Sequence, residues 1–397
     1  MISVAGARAL IANQVLPLRA VPMPLAEAFG RILRQDVRAR QDFPACDRSA
    51  MDGYAIPAND PSPKFRVVAQ IQAGAAPQRP LRPGECARIL TGAPVPGASR
   101  VLMQEHTRIE GGFMVPLKPE TATNVRRRGE DARKGDLLLS SGTGLGPGDL
   151  ALLAANGIVL PKVSPLVRVA HFATGNELVG PEEKAGPGLI RDSNSTLVAA
   201  LTTRLGGQMV RQERVRDDFD RLLKKARAIT ASCDLLLLSG GAGAGEYDFG
   251  QRLLSALGFR IHFTAVNLRP GKPLVFATRR RQAAFVLPGN PISHLVTLHL
   301  AVRAAFERFA GLAPAWPAVR VRLAESFIHR PTDRQTAWPA RLKILAGSGE
   351  LVAHALPWQS SGDVTGLAGV NALLILEAGA AAPAPGGFVS VLMLEVP

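Results

Sequence analysis

The chain has 397 residues, enough at roughly 100–200 residues per domain for two to four domains. Apolar residues make up 47% and charged residues 20%, which excludes a disordered chain. The formal net charge of +15, with 38 Arg against 9 Lys, points to an anionic partner: nucleic acid, a membrane surface or a phosphate-bearing small molecule.

Cys46, Cys86 and Cys233 have no C-x-x-C spacing, so neither a disulfide framework nor a zinc site is expected. No run of about 18 apolar residues is present, so no transmembrane helix is expected. The opening MISVAGARALIANQ is too weakly apolar for a secretory signal and reads as an amphipathic helix. A cytoplasmic setting is expected.

Helix gives way to LAEAFGRIL and then to the extended VRARQDFPACDRSAMDGYAI. Short β-like runs such as FRVVAQI and CARIL follow, separated by Gly and Pro clusters. GPGDLALLAANG reads as a short helix entered at Gly148-Asp149 and stopped at Asn156-Gly157. From Leu166 onward strand and helix alternate. Strands are expected at 166–172, 209–215, 234–238 and 261–266, with helices capped by Ser193 or Asn194 and by Asp217 or Asp218. A hairpin joins 274–277 to 283–287 with Arg279, Arg280 and Arg281 at its tip, and Pro291 starts a helix reaching about Phe309. Repeated β-α-β units mean a mainly parallel sheet with helices on both faces. The last segment is β-rich, with a hairpin about Gly347-Ser348-Gly349, and closes as a small barrel or sandwich.

Charge follows this division. Residues 1–165 carry 21 basic and 14 acidic side chains, and residues 166–312 carry 20 and 12. Residues 313–397 carry six of each, so the excess lies in the first two segments.

The chemistry-bearing loops lie in those segments. Ser239–Asp248 follows a buried strand and opens a helix, so Gly240, Gly241, Gly243 and Gly245 can bring backbone N–H groups against a phosphate. Arg269-Pro270-Gly271-Lys272-Pro273 sets two cations about a tight turn. Leu287-Pro288-Gly289-Asn290-Pro291 is another strand-to-helix turn with amides for an anion, or with Asn290 as a plain cap. Asp52, Asp131, Glu177, Asp217, Asp218 and Asp248 stand in or beside basic or Gly-rich loops, as carboxylates holding Mg²⁺ near phosphates do. Singly, each is more often a cap or turn residue, and only the set points to a metal. Arg126-Arg127-Arg128 and the 279–281 triplet have no interleaved aromatic pair, and no nucleic-acid-binding signature accompanies them. His171 reads as a packed strand histidine.

Taken in order, SAMDGYA (49–55), RILTGAPVP (88–96), NVRRRGEDARKGDLLL (124–139), ATGNEL (173–178), RDSN (191–194), DLLLLSGGAGAGEYD (234–248), RPGKP (269–273) and LPGNPIS (287–293) resemble the molybdopterin molybdenumtransferase (MoeA, gephyrin E-domain) family across nearly the whole chain. That resemblance implies four parts. A discontinuous linking part spans 1–39 and 136–165, and a β-rich part spans 40–135. An α/β molybdopterin-binding part spans 166–312, and a C-terminal β-barrel spans 313–397. It implies an enzyme that transfers molybdenum from molybdate to adenylylated molybdopterin with release of AMP, using Mg²⁺. It further implies a homodimer with its active site between subunits, contact with other cofactor-biosynthesis proteins, and neither nucleic acid nor membrane as partner.

Carried over by motif, Asp52, Asp131, Glu177 and Asp248 are the catalytic residues. Thr91, Ser239, Gly240, Gly241, Gly243, Arg269, Lys272, Pro288, Asn290, Pro291 and Ser361 bind substrate. Glu177, Asp217, Asp218 and Asp248 hold the metal. Three positions depart from the family pattern: Gly243 stands where Ser is usual, Asn176 where Asp is usual, and Arg269 where Lys is frequent. The reading these departures leave beside the enzyme is a weakened paralogue that binds molybdopterin or acts as a scaffold.

Overall fold

The structure is a computed structural model that describes residues 1–75, 77, 79–240 and 249–394. Two compact units emerge. One comprises 22–29 and 35–162, and the other comprises 1–21, 30–34 and 163–397. The first helix, α1 (Val4–Gln14), belongs to the larger unit. Its cap is Ser3, whose hydroxyl accepts from the Gly6 N–H at 3.1 Å.

The smaller unit is built on one six-stranded sheet. Its strands are β1 (Gly53–Pro57), β2 (Phe65–Ile71), β3 (Glu85–Ile89), β4 (Ser99–Met103), β5 (Thr107–Glu110) and β6 (Phe113–Pro116). Their order is β4-β1-β3-β2-β6-β5, and only β2 and β3 run parallel. Alternation along the strands fills two small cores, one holding Ala55, Ala87, Ile89 and Val101, the other Tyr54, Ile56, Phe65 and Met114. Later comes α2 (Pro147–Ala155). It starts one residue earlier than the sequence suggests, because Gly146 is the cap residue and its N–H donates to Asp149. Pro147 then occupies the first helical position, where a missing N–H costs nothing. Asn156 ends this helix as expected, and its side chain also bonds the backbone of Arg38 and Arg40 at 2.8 Å each.

The larger unit holds a second six-stranded sheet. Its strands are β7 (Val167–Thr174), β8 (Gly207–Val215), β9 (Leu235–Ser239), β10 (Arg260–Ala265), β11 (Pro273–Arg279) and β12 (Gln282–Leu287). Their order is β8-β7-β9-β12-β11-β10. The first four are parallel, and the β11–β12 hairpin turns the far edge antiparallel. Leu235 and Leu237 point to one core and Leu236 and Leu238 to the other, so β9 is buried on both faces. Helices α3 (Ser193–Arg204), α4 (Phe219–Thr230) and α5 (Phe249–Ala256) cover the sheet. The cap of α3 is Asp192, not Ser193 or Asn194. A carboxylate outcompetes a hydroxyl here by taking both the backbone N–H and the hydroxyl of Ser195. Asp218 caps α4 and accepts from the Arg221 N–H at 2.9 Å. The final helical run is α6 (Pro291–Thr297), a π turn at Leu298–Val302, and α7 (Arg303–Phe309).

The C-terminal strands are β13 (Ala318–Leu323), β14 (Gln335–Ile344), β15 (Leu351–Ala355), β16 (Ala372–Leu376) and β17 (Phe388–Met393). They pair β14-β15-β13-β17-β16 and back to β14, a closed five-stranded barrel. Closure removes both sheet edges and packs Leu323, Trp338, Leu374 and Val391 inside. A short strand, Leu268–Arg269, pairs with Gln335 and Thr336, so the Arg269 turn is stitched to the barrel wall.

Candidate active site

In open α/β sheets ligands gather beyond the carboxyl ends of parallel strands. Here β7 ends at Thr174, β9 at Ser239 and β12 at Leu287, and two adjoining cavities lie against these ends. They share Gly240, Gly289 and Asn290 in their walls. One is about 760 Å³ and carries Arg269, Lys272, Arg330 and Arg334, with no carboxylate among the described residues of its lining. The other, about 540 Å³, is lined by Glu177, Thr174, Asp192 and Asn194.

Backbone conformation brings the chain this close. Gly240 has φ +89°, and a Cβ there would stand 2.5 Å from the Thr174 carbonyl oxygen. Gly271 has φ +109°, and a Cβ would meet Thr297 at 2.7 Å. Neither turn accepts a side chain. Lys272 and Arg269 are therefore presented by a turn that requires glycine at 271.

Aromatic walls complete the cationic cavity. Trp338 and Trp358 meet edge to face at 4.8 Å between centroids. Their indole N–H groups donate inward to Leu356 O at 2.9 Å and Ser360 O at 2.6 Å. The Arg269 guanidinium lies 5.5 Å from the Trp358 ring centre. A planar guanidinium stacks on an indole better than an ammonium does, which gives the Arg in place of Lys a physical reason. Asn290 donates to the Ser361 hydroxyl at 2.7 Å, tying the LPGNP turn to the segment after the barrel's third strand. Asn290 is the cap residue of α6 without a side-chain capping bond.

In the second cavity the Glu177 carboxylate folds back over Gly175, within 2.7 Å of where a Cβ would sit. Asn176 accepts from the Asp217 N–H at 3.3 Å, a role an aspartate would fill equally. Asp218 is engaged as the α4 cap. Among the described residues no three His, Cys, Asp or Glu side chains cluster as a metal site. The Asn194 Oδ1 is nevertheless buried without a partner and belongs to a residue of the Glu177 cavity. An orphaned oxygen in a wall that also holds a carboxylate is a donor set suited to a hard cation. Gly241, Gly243, Gly245 and Asp248 lie outside the described residues.

The smaller unit carries the remaining candidates. Asp52 Oδ1 accepts from the Thr91 N–H and from the Thr91 hydroxyl, both at 2.7 Å. These bonds, the backbone one foremost, hold the Asp52 carboxyl below its usual range, so it is ionised at neutral pH. Asp131 pairs with Arg126. The neighbouring cations are paired too: Arg127 meets Asp47 at 2.7 Å and Arg128 meets Asp42 at 2.5 Å. Of the 279–281 triplet, Arg279 donates to Leu257 O at 2.7 Å and Arg281 to Pro17 O.

Arg330, Arg334, Trp338, Trp358 and Asn194 line the cavities but are not legible as site residues in the sequence. The barrel segment is neutral as a whole, so its net charge hides two cations that face the cavity. His171 is packed as expected, but it is also hydrogen-bonded to the Ser239 hydroxyl at 2.6 Å.

Three family profiles match the chain: "MoeA N-terminal region (domain I and II)" over residues 2–157, "Probable molybdopterin binding domain" over 170–308, and "MoeA C-terminal region (domain IV)" over 320–394. A Nostoc sp. protein named molybdopterin molybdenumtransferase is 37% identical over 382 residues, covering 93% of this chain and 87% of its own. One of the same name from Bacillus subtilis is 31% identical, covering 94% and 89%. A crystal structure of the molybdopterin biosynthesis MoeA protein from Pyrococcus horikoshii superposes with a TM-score of 0.85 at 27% identity, covering 100% of both chains. No helix among the described residues is long and apolar enough to cross a membrane. The chain belongs to the MoeA family of molybdopterin molybdenumtransferases.

Proposed function

We propose that the two adjoining cavities form a molybdenum-insertion site that takes adenylylated molybdopterin and molybdate and releases AMP. The carrying observation is the unequal make-up of the groove: four cations, two indoles and no described carboxylate on one side of Gly240, Gly289 and Asn290, and Glu177 and Asp192 with the single cation Arg191 on the other. The substrates are multiply anionic and contain flat heterocycles. Arg269, Lys272, Arg330 and Arg334 lower the cost of gathering that charge, and the indoles offer a stacking wall. AMP leaves when water attacks the phosphoanhydride: a P–O bond forms to water oxygen, the bridging P–O bond breaks, and the water proton needs an acceptor. In this reading Glu177 orients that water and takes the proton. Glu177 and the Asn194 Oδ1 are the donors that would hold Mg²⁺, whose chemistry there is neutralisation of phosphate charge.

Asp52 and Asp131 lie at the surface of the smaller unit. We assign them to a second copy's site, so the active protein is a homodimer in which each copy supplies this pair. The three cysteines are free, in keeping with a reducing cytoplasmic setting. Purified protein given adenylylated molybdopterin, molybdate and Mg²⁺ is expected to release AMP. Binding of the substrate without molybdate-dependent release would leave only the weakened, scaffold-like paralogue.

A further inference from the structure

Two histidines sit behind the wall of the groove, fully buried, and neither is among the described residues that line its two cavities. His171 is on β7 and His294 is in α6. Ser239 lies between them, its Oγ 2.6 Å from His171 Nε2 and 3.4 Å from His294 Nε2.

Both ends of this chain meet backbone carbonyls, which only accept. At one end, Gln212 Nε2 reaches Ser195 O at 2.9 Å and His171 Nδ1 at 3.1 Å. The carbonyl identifies that atom as the amide nitrogen, so His171 Nδ1 accepts and its Nε2 carries the proton. At the other end, His294 Nδ1 lies 3.0 Å from Pro288 O and must donate to it. His294 Nε2 is then an acceptor, and the Ser239 hydroxyl donates to it. Every bond runs the same way, from Gln212 through His171, Ser239 and His294 to the Pro288 carbonyl.

Its terminus is a functional one. Pro288 lines the cationic cavity, and the adjacent Gly289 carbonyl is drawn off by Asn194 Nδ2 at 2.7 Å. Two consecutive carbonyls of an anion-facing turn are thus each tied to a donor, which lowers the negative potential an incoming anion meets. An apolar residue at 294 would leave the buried Pro288 carbonyl without this donor and the buried Ser239 hydroxyl proton without this acceptor.

We propose that His171 and His294 are positioning residues of the anion site: through Ser239 they form one directed hydrogen-bond chain that orients the Pro288–Gly289 turn for the oxyanion. The proposal rests on the reading of the groove as the anion-binding site. With the full chain and molybdate as probe, His294→Ala is expected to weaken binding about tenfold, raising KM for molybdate while leaving kcat within about twofold. His294→Asn keeps a donor near the Nδ1 position and is expected to bind within about threefold of the parent. His294→Gln keeps an acceptor near Nε2 but offers Pro288 O nothing, and is expected to bind as the alanine variant does. Equal behaviour of Asn and Gln, or unaltered binding by the alanine variant, overturns the proposal. If Lys272→Ala loses binding while His294→Ala does not, only this proposal fails. If Lys272→Ala binds as the parent does, the groove reading fails and the proposal with it. Nitrogen-15 spectra of the histidines in the unsubstituted protein need no variant to fold. Opposite neutral tautomers, Nε2–H at His171 and Nδ1–H at His294, are expected, and a shared tautomer or a charged ring at neutral pH contradicts the chain.

Discussion

The larger unit and the smaller one each carry a six-stranded sheet and a set of charged loops, but they treat those loops differently. In the larger unit the ends of three parallel strands converge, and their loops wall a groove with unequal halves. In the smaller unit the two candidate carboxylates lie at the surface, bonded to nearby hydroxyl or guanidinium groups: Asp52 to Thr91, Asp131 to Arg126. Parallel topology builds a site from its own chain, because every strand delivers its loop to the same edge. The largely antiparallel sheet scatters its turns to both edges and presents groups for something else to complete. On the proposed reading, binding belongs to the larger unit, and the smaller one supplies groups needed for turnover.

The largest effect that sharpens this contrast is expected for Asp52→Ala and Glu177→Ala. Each should lower kcat for AMP release by about 10²- to 10³-fold with the fold intact. Asp52→Ala should leave substrate affinity within a few-fold, and a loss of affinity instead would break the division. Next comes Lys272→Ala, which should weaken binding of the anionic substrate by roughly 10- to 100-fold in a direct titration, the loss of a charge-assisted contact. Mixing the Asp52→Ala and Glu177→Ala proteins should restore part of the activity, because a shared homodimer then contains one intact site. No recovery would argue that each chain completes its own site.

Stability should show the same asymmetry with pH. Burial pushes His171 down to about 3, helped by the nearby His294, and pushes His294 down to about 4. Unfolded, both rings take protons near pH 6.5, so below that pH the unfolded chain binds more protons than the folded one. The stability of the larger unit should fall as pH drops from about 6.5 toward 4, by up to about 1.4 kcal/mol per pH unit for each ring. Denaturant titrations across that range check it, and a flat profile would contradict neutral burial. The smallest effect is reserved for Asp218→Ala, which should cost about 1 kcal/mol of stability as a lost helix cap and leave AMP release near the parent rate. A large loss of activity would make Asp218 a metal ligand after all.

Much of the frame was legible in the sequence, for reasons that differ by region. The strand at 234–238 announced itself as an unbroken apolar run because it is buried on both faces. The turn at 269–273 was readable because Gly and Pro in tight succession leave few conformations. Capping was harder: Asp192 took the role expected of Ser193 or Asn194, since a carboxylate can serve two donors at once. The barrel's share of the groove was hidden, because Arg330 and Trp358 reach it only through strand closure and the pairing of Arg269 with Thr336. The histidine chain was hidden more deeply still. His171 and His294 are far apart in sequence, and only the parallel pairing of β7 with β9 brings one to Ser239.

The most direct test of the central claim is anomalous diffraction at the molybdenum edge from crystals of the full chain soaked in molybdate. The expected result is a peak in the groove, within contact distance of Lys272 and the Pro288–Gly289 turn. A peak confined to the arginine pairs of the smaller unit, or none at concentrations that support AMP release, would contradict the account.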